Sequence, residues 1–184
     1  ITTPDKVESS VGTLDFKDGA PSKETVAKAY DYLDLMHSVE AFVNAYQGAS
    51  VAAIFKGMED AGVPNNTVLI FSELMGSESL FLTANADTIY FLSFIDLSSG
   101  PMVVEIPPGP IVGIIDDFWQ RSLSDIGLPG PDGDKGGKFL LLPPGYTGEV
   151  PQDGYHILKG AMNNYNIMIR GLVSNFGSDV PVAV

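Results

Sequence analysis

The densest run of chemically capable side chains is Asp116-Asp117-Phe118-Trp119-Gln120-Arg121. On a strand, Asp117, Trp119 and Arg121 would share one face and Asp116, Phe118 and Gln120 the other. A tryptophan between a carboxylate and a guanidinium can grip a sugar or another polar ring, the indole stacking while the charged groups hydrogen-bond. The competing reading is a half-buried tryptophan with charges at the rim of a sheet. Paired carboxylates could also do acid–base work, which needs two groups roughly 5–10 Å apart across the reacting bond. Asp116 and Asp117 are neighbours that point to opposite faces, so a pair would need Asp87 or Glu105 from another strand. A second polar run, Thr83-Ala84-Asn85-Ala86-Asp87-Thr88, precedes an apolar stretch containing Tyr90. Asn85, Asp87 and Tyr90 could line the mouth of a cavity, or the short polar side chains could shape a turn by bonding the backbone.

Asp132-Gly133-Asp134 resembles the start of a calcium loop, with Asp132 and Asp134 as candidate ligands, but Lys135-Gly136 departs from the helix-flanked pattern. An irregular Ca2+ site with backbone oxygens stays open beside an ordinary surface turn. The two histidines, His37 and His156, cannot supply a three-histidine zinc site. Ser77 lacks a nucleophile-elbow context. The glycines from Gly130 to Gly137 lack the spacing and following helix of a phosphate or dinucleotide loop.

Composition narrows the classes further. The net charge is −13, and no base lies between Lys56 and Arg121 while nine carboxylates do. Such a field disfavours nucleic acid and anionic membranes. With no cysteine, disulfides, thiolate metal sites and cysteine nucleophiles are excluded. No apolar run approaches the ~20 residues of a membrane helix. Asn65-Asn66-Thr67 is a glycosylation sequon that matters only in a eukaryotic secretory pathway. Charged residues are 18% of the 184, against twenty glycines, so much of the surface must be neutral, with apolar area that a partner or missing chain could cover.

The elements that must position these residues follow from hydrophobic rhythm. Ser22 reads as a helix N-cap. Val26, Tyr30, Leu33, Met36, Val39, Val43 and Tyr46 recur at threes and fours, predicting an amphipathic helix from Lys23 to about Tyr46. Ser50 opens a second, shorter helix, with Gly62 as its C′ residue and Pro64 beyond. After Pro64 the period becomes two. Strands are expected at 68–71, 88–97, 102–106, 111–123, 139–142, 155–158 and 163–173.

Several of these segments, in order, resemble a known family. They are Gly12-Thr13-Leu14-Asp15-Phe16, Asn65-Asn66-Thr67, Leu82 to Tyr90, Gly100 to Pro108, Ile115 to Trp119, Asp125-Ile126-Gly127 and Lys135 to Tyr146. The series is similar to domain-of-unknown-function family 1254. The resemblance implies an exported bacterial protein, secreted or periplasmic, whose domain is followed by a second β-rich domain. It brings no established reaction and no catalytic residues.

The expected fold class is therefore α+β: an N-terminal helix pair packed on a mostly antiparallel β-sheet or sandwich. The expected organisation is an arm at 1–21, a helical segment at 22–63 and a β-rich body at 64–184 of the same domain, cut short at its C-terminal end. The expected function is non-catalytic ligand binding or self-assembly, into filaments if the interface is open-ended. The alternative is a hydrolase-type enzyme whose acidic and aromatic site (Asp87, Asp117, Trp119, Arg121) is shared with a missing C-terminal domain. The expected partners are copies of the chain or the companion β-rich domain, with no nucleic acid and no membrane insertion.

Overall fold

The computed structural model describes residues 4–79, 81 and 84–172. The chain divides into two compact units, Ile1–Tyr46 and Gln47–Val184. In the first unit, strands β1 (Lys6–Ser9), β2 (Gly12–Lys17) and β3 (Ala20–Pro21) form an antiparallel meander and lead into helix α1 (Lys23–Asp60). Ser22 caps the helix: its Oγ accepts a hydrogen bond from the Thr25 amide at 3.1 Å. The Thr25 hydroxyl is buried, accepts from the Asp15 amide at 2.8 Å and donates to the Asp15 carbonyl at 3.1 Å. One residue thus fastens the first turn of the helix to β2.

The expected helix pair is not found. Among the described residues there is a single helix, 38 residues long, and eleven strands in three sheets, so the chain is mostly β. The break anticipated between Tyr46 and Ser50 rested on the end of the apolar period at Tyr46 and on Ser50 as the start of a second helix. No proline lies there, and a helical glycine costs only about 1 kcal/mol relative to alanine. Gly48 instead answers a packing demand: a Cβ built on it would lie 3.0 Å from Cζ3 of Trp119. The helix stops at a Schellman motif, with Val63 N–H donating to the Met58 carbonyl and Gly62 N–H to the Glu59 carbonyl, both at 2.9 Å. Gly62 takes the positive φ, 85°, that this motif requires.

The second unit is layered around a five-stranded antiparallel sheet. Its strands are β4 (Val68–Ile70), β5 (Thr88–Asp96), β7 (Ile111–Asp117), β8 (Ser122–Gly127) and β11 (Asn164–Leu172), in the order β4-β5-β11-β7-β8. A three-stranded sheet, ordered β10-β9-β6, is built from β6 (Met102–Ile106), β9 (Gly137–Leu142) and β10 (His156–Lys159), with β10 parallel to β9. Because residues alternate across a sheet, β5 buries both faces. Ile95 joins Ile115, Ile126, Tyr165 and Ile167 against Ile106, Phe139 and Leu141 of the small sheet. Leu92 and Phe94 point the other way and pack with Val51, Phe55 and Met58 of α1, and with Phe118. The single strand expected over 111–123 is two: the chain turns after Asp117, and β7 and β8 form a hairpin.

The Gly48–Trp119 contact makes the two positions interdependent. In a Trp119→Ala background, Gly48→Ala should stabilise by about 0.5–1 kcal/mol, the ordinary helix gain. In the wild-type background that gain should be cancelled by displacement of the indole. Urea unfolding of the four proteins measures the coupling; equal effects in both backgrounds would show that the ring does not constrain the helix.

Candidate functional site

The turn between β7 and β8 holds the three residues that look most like a binding triad. Its geometry commits two of them to the turn itself. Asp117 is buried, and its Oδ1 accepts from the amides of Trp119 at 2.8 Å and Arg121 at 3.0 Å. Its Oδ2 accepts from Arg121 Nε at 2.7 Å, so the Arg121–Asp117 ion pair closes over a carboxylate whose side chain is only 3% exposed. The turn is finished by Gln120 N–H donating to the Asp117 carbonyl at 2.9 Å, with Gln120 at φ 57°. These bonds satisfy a buried charge that would otherwise carry a large desolvation cost. Trp119 remains 44% exposed and does not share a strand face with Asp117 and Arg121, as the continuous strand required. A depression of about 390 Å³ beside Asp117 and Arg121 is lined by Ser122, Leu123 and residues 157–161, without Trp119.

Asp116 lies on the opposite face of β7. Its Oδ1 is buried with no hydrogen-bond partner. Burial, then the neighbouring charges of Asp117 and Asp125, push its carboxyl above the usual carboxylate range.

Asn85, Asp87 and Tyr90 form a different local structure. Asn85 Oδ1 accepts from the amides of Asp87 and Thr88, both at 3.0 Å, and from the Thr88 hydroxyl at 2.8 Å. The Asn85 amide donates to the hydroxyl of buried Tyr90 at 3.0 Å. This is a side-chain-built turn feeding β5; Thr83, which belongs to the same sequence run, lies outside the described residues. The turn is not near Asp117. In the ladder, Asp117 is level with Tyr165 and Ile95, whereas Asp87 sits just before Thr88, at the far end of β5. At the ~3.3 Å rise of a strand, that separation is about 25 Å. The structure does not bring Asp87 together with Asp117, Trp119 and Arg121. Glu105, the other cross-strand candidate, faces Lys138 across the small sheet at 3.7 Å.

Asp132 and Asp134 part company as well. Asp132 is buried; its Oδ1 accepts from the Gly127 amide at 2.9 Å and its Oδ2 is buried without a partner. Asp134 is exposed, and its backbone carbonyl accepts from the Gly109 amide at 3.0 Å. Among the described residues no group of three or more His, Cys, Asp or Glu side chains is placed to hold a metal ion. No described helix is long and apolar enough to cross a membrane.

The site that residue chemistry did not reveal is an apolar cleft of about 540 Å³. Its floor is the inner face of the large sheet, including Phe91, Ile95, Ile167 and Ile169. Met102 and Val104 of β6, with the Pro107–Ile111 segment, form its wall. The cleft exists because, among the described residues, β6 is the last strand of a three-stranded sheet lying over a five-stranded one. The alternation of Met102, Val104 and Ile106 with Val103 and Glu105 was a legible sign of an inward face. That no further described strand follows β6 was not.

Together these features define a mostly β, layered domain whose polar clusters build turns and whose concave surface is apolar. A family model described as Protein of unknown function (DUF1254) matches residues 65–184, and the chain belongs to that family. No curated protein matches the sequence. Among solved structures, the crystal structure of the VPA0106 protein from Vibrio parahaemolyticus is similar, with a TM-score of 0.53 and 22% sequence identity over 76% of this chain. At that identity the likeness is one of fold. The chain spans about a third, 34%, of the length of that protein.

Two substitutions separate the roles of the adjacent carboxylates. Asp117→Ala should destabilise by about 2–4 kcal/mol, since it strips the charged acceptor from two turn amides and from Arg121; a loss below about 0.5 kcal/mol, the scatter of ordinary surface changes, would refute the role in the turn. Asp116→Asn should act with the opposite sign. A carboxyl whose folded value lies above its ordinary 3.8 binds its proton more tightly in the folded state. Its ionisation therefore costs stability as pH rises from that ordinary value through the raised one. The asparagine variant should melt above wild type at pH 7, and the difference should shrink as pH falls and vanish only well below the ordinary value of 3.8, where both states are protonated. Calorimetry across that range is the check.

Proposed function

We propose that this domain is an exported, non-catalytic binding module that takes a small apolar or amphipathic molecule in the cleft between its two sheets. The observation that carries the reading is the cleft itself. Its volume falls within the roughly 300–1,000 Å³ of small-molecule sites, and such sites are mostly apolar with few polar groups. The polar residues on its lining are already engaged: Ser93 Oγ donates to the Thr67 carbonyl at 2.8 Å, Asn66 Oδ1 accepts from the Asp96 amide at 2.8 Å, and Glu105 pairs with Lys138 at 3.7 Å. They set the shape of the rim and leave hydrophobic contact as the main source of affinity. Export is supported by the family resemblance and accords with the absence of cysteine.

The non-catalytic part of the proposal draws support from the separation of the carboxylates. Acid–base hydrolysis needs two groups facing one bond. Here Asp87 lies just before β5 while Asp117, on β7, is level with the other end of that strand, and Asp117 is fully bonded within its own turn.

A fluorescent apolar probe such as anilinonaphthalene sulfonate should bind the folded chain with a stoichiometry near one, and NMR shift changes should map to β5, β6 and β11. Filling the cleft with Val104→Trp should weaken binding at least tenfold while leaving the far-ultraviolet circular dichroism unchanged. Binding that ignores the substitution, or shifts mapped elsewhere, would overturn the proposal.

A further inference from the structure

The first unit carries an apolar seam that its strands do not cover. From Thr25 onward, positions 25, 29, 32, 36, 39, 43, 46 and 50 of α1 alternate spacings of four and three, the register of a coiled-coil contact line. Thr25 is occupied by β2. The positions that follow are Ala29, Tyr32, Met36, Val39, Val43 and Tyr46, all exposed. Leu35 and Phe42 flank this line on one side at 58% and 70% exposure. The carboxylates Asp31 and Asp34 fall away from the seam, at positions that a contact line of this register leaves in solvent.

We propose that this segment pairs antiparallel with the same segment of a second copy, about a two-fold axis that passes between His37 and Ser38. Three arguments select this occupant and this direction. Volume is the first. Antiparallel pairing sets Ala29 against Tyr46 of the second copy, Tyr32 against Val43 and Met36 against Val39, each layer matching a smaller side chain with a larger one or two of middling size. Parallel pairing would set Tyr32 on Tyr32 and Tyr46 on Tyr46, with Ala29 facing Ala29. Flanking chemistry is the second. Antiparallel pairing brings Leu35 beside Phe42 of the second copy, twice by symmetry, whereas parallel pairing separates these two; Glu40 lies beside a leucine in either direction, Leu33 when antiparallel and Leu35 when parallel. The third is charge and area. No like charges are opposed, the helix dipoles run in opposite directions, and the interface is isologous and closed. At their exposures, seven large side chains bury on the order of 600 Å² per copy, which brings two copies to the lower edge of the roughly 1,200–2,000 Å² typical of stable interfaces.

The test is a charge exchange across the central layer in the full chain. Light scattering with sedimentation velocity should show a concentration-dependent dimer. Met36→Glu and Val39→Lys should each weaken it at least tenfold, and circular dichroism should stay unchanged because both positions are exposed. Combining Met36→Glu with Val39→Lys in one chain should recover the dimer, because the carboxylate introduced at position 36 then faces the ammonium introduced at position 39 of the other copy. A dimer indifferent to the single variants, or a monomer at every concentration up to the millimolar range, would overturn the proposal. So would a double variant as weak as the singles, which would mean parallel pairing or a different occupant of the seam.

Discussion

The second unit rests on a strand with two apolar faces. β5 presents Ile89, Ser93 and Ile95 to one side and Tyr90, Leu92 and Phe94 to the other, and it is paired along its whole length with β11. A strand of that kind is stable only when both sides are withdrawn from water. One side is closed by Val51, Phe55 and Met58 of the helix, the other by Phe139, Leu141 and Ile106 of the small sheet. The layering follows from this demand. So does the cleft, which lies where, among the described residues, the small sheet ends at β6.

The same demand explains why the residues richest in chemical capability do structural work. A hairpin between β7 and β8 has to reverse direction beside Phe118, which packs against Phe55 and Phe94 at ring separations of 6.1 and 5.7 Å. A carboxylate that binds two amides and a guanidinium is a strong way to fix such a turn, and Asp117 fills that role. Asn85 does the equivalent for the entry to β5 with three acceptor contacts on one oxygen. Buried polar groups must be satisfied. In a domain with few charges, the conspicuous ones are the ones recruited for it.

Much of the fold could be read from the sequence, and the failures have definite causes. The strand positions after Pro64, the cap at Ser22 and the stop at Gly62 were legible because each depends on local chemistry: period-two alternation, a hydroxyl before an apolar period, a glycine before proline. The helix break was misread because the apolar period pauses after Tyr46 and Ser50 can serve as a cap, whereas the helix runs on through Gly48, whose place in it is tied to the Trp119 ring, far along the chain. The strand over 111–123 was misread because the β-rich run 111–119 hides a turn made by a side chain, without glycine or proline to mark it. The candidate residues were legible as types and illegible as a site. Which strands become neighbours, and how many strands each sheet holds, fixes that Asp87 and Asp117 are far apart, and no local pattern encodes it.

Charge distribution along α1 carries the argument one step further. The low charge content implies neutral surface somewhere, and hydrophobic residues scattered singly on a surface call for no explanation. Those between Ala29 and Tyr46 are not scattered. Ala29, Tyr32, Met36, Val39, Val43 and Tyr46 hold a three-and-four register, with Leu35 and Phe42 on one flank and Tyr30 and Leu33 exposed on the other side, and Asp31 and Asp34 of the same segment lie where that register leaves them outside. A face selected only for solubility would place charges across the seam, since each would favour water over contact. Keeping the seam apolar over about five turns makes physical sense if a matching surface covers it, and the alternation of small and large side chains along it is the complement of its own reverse.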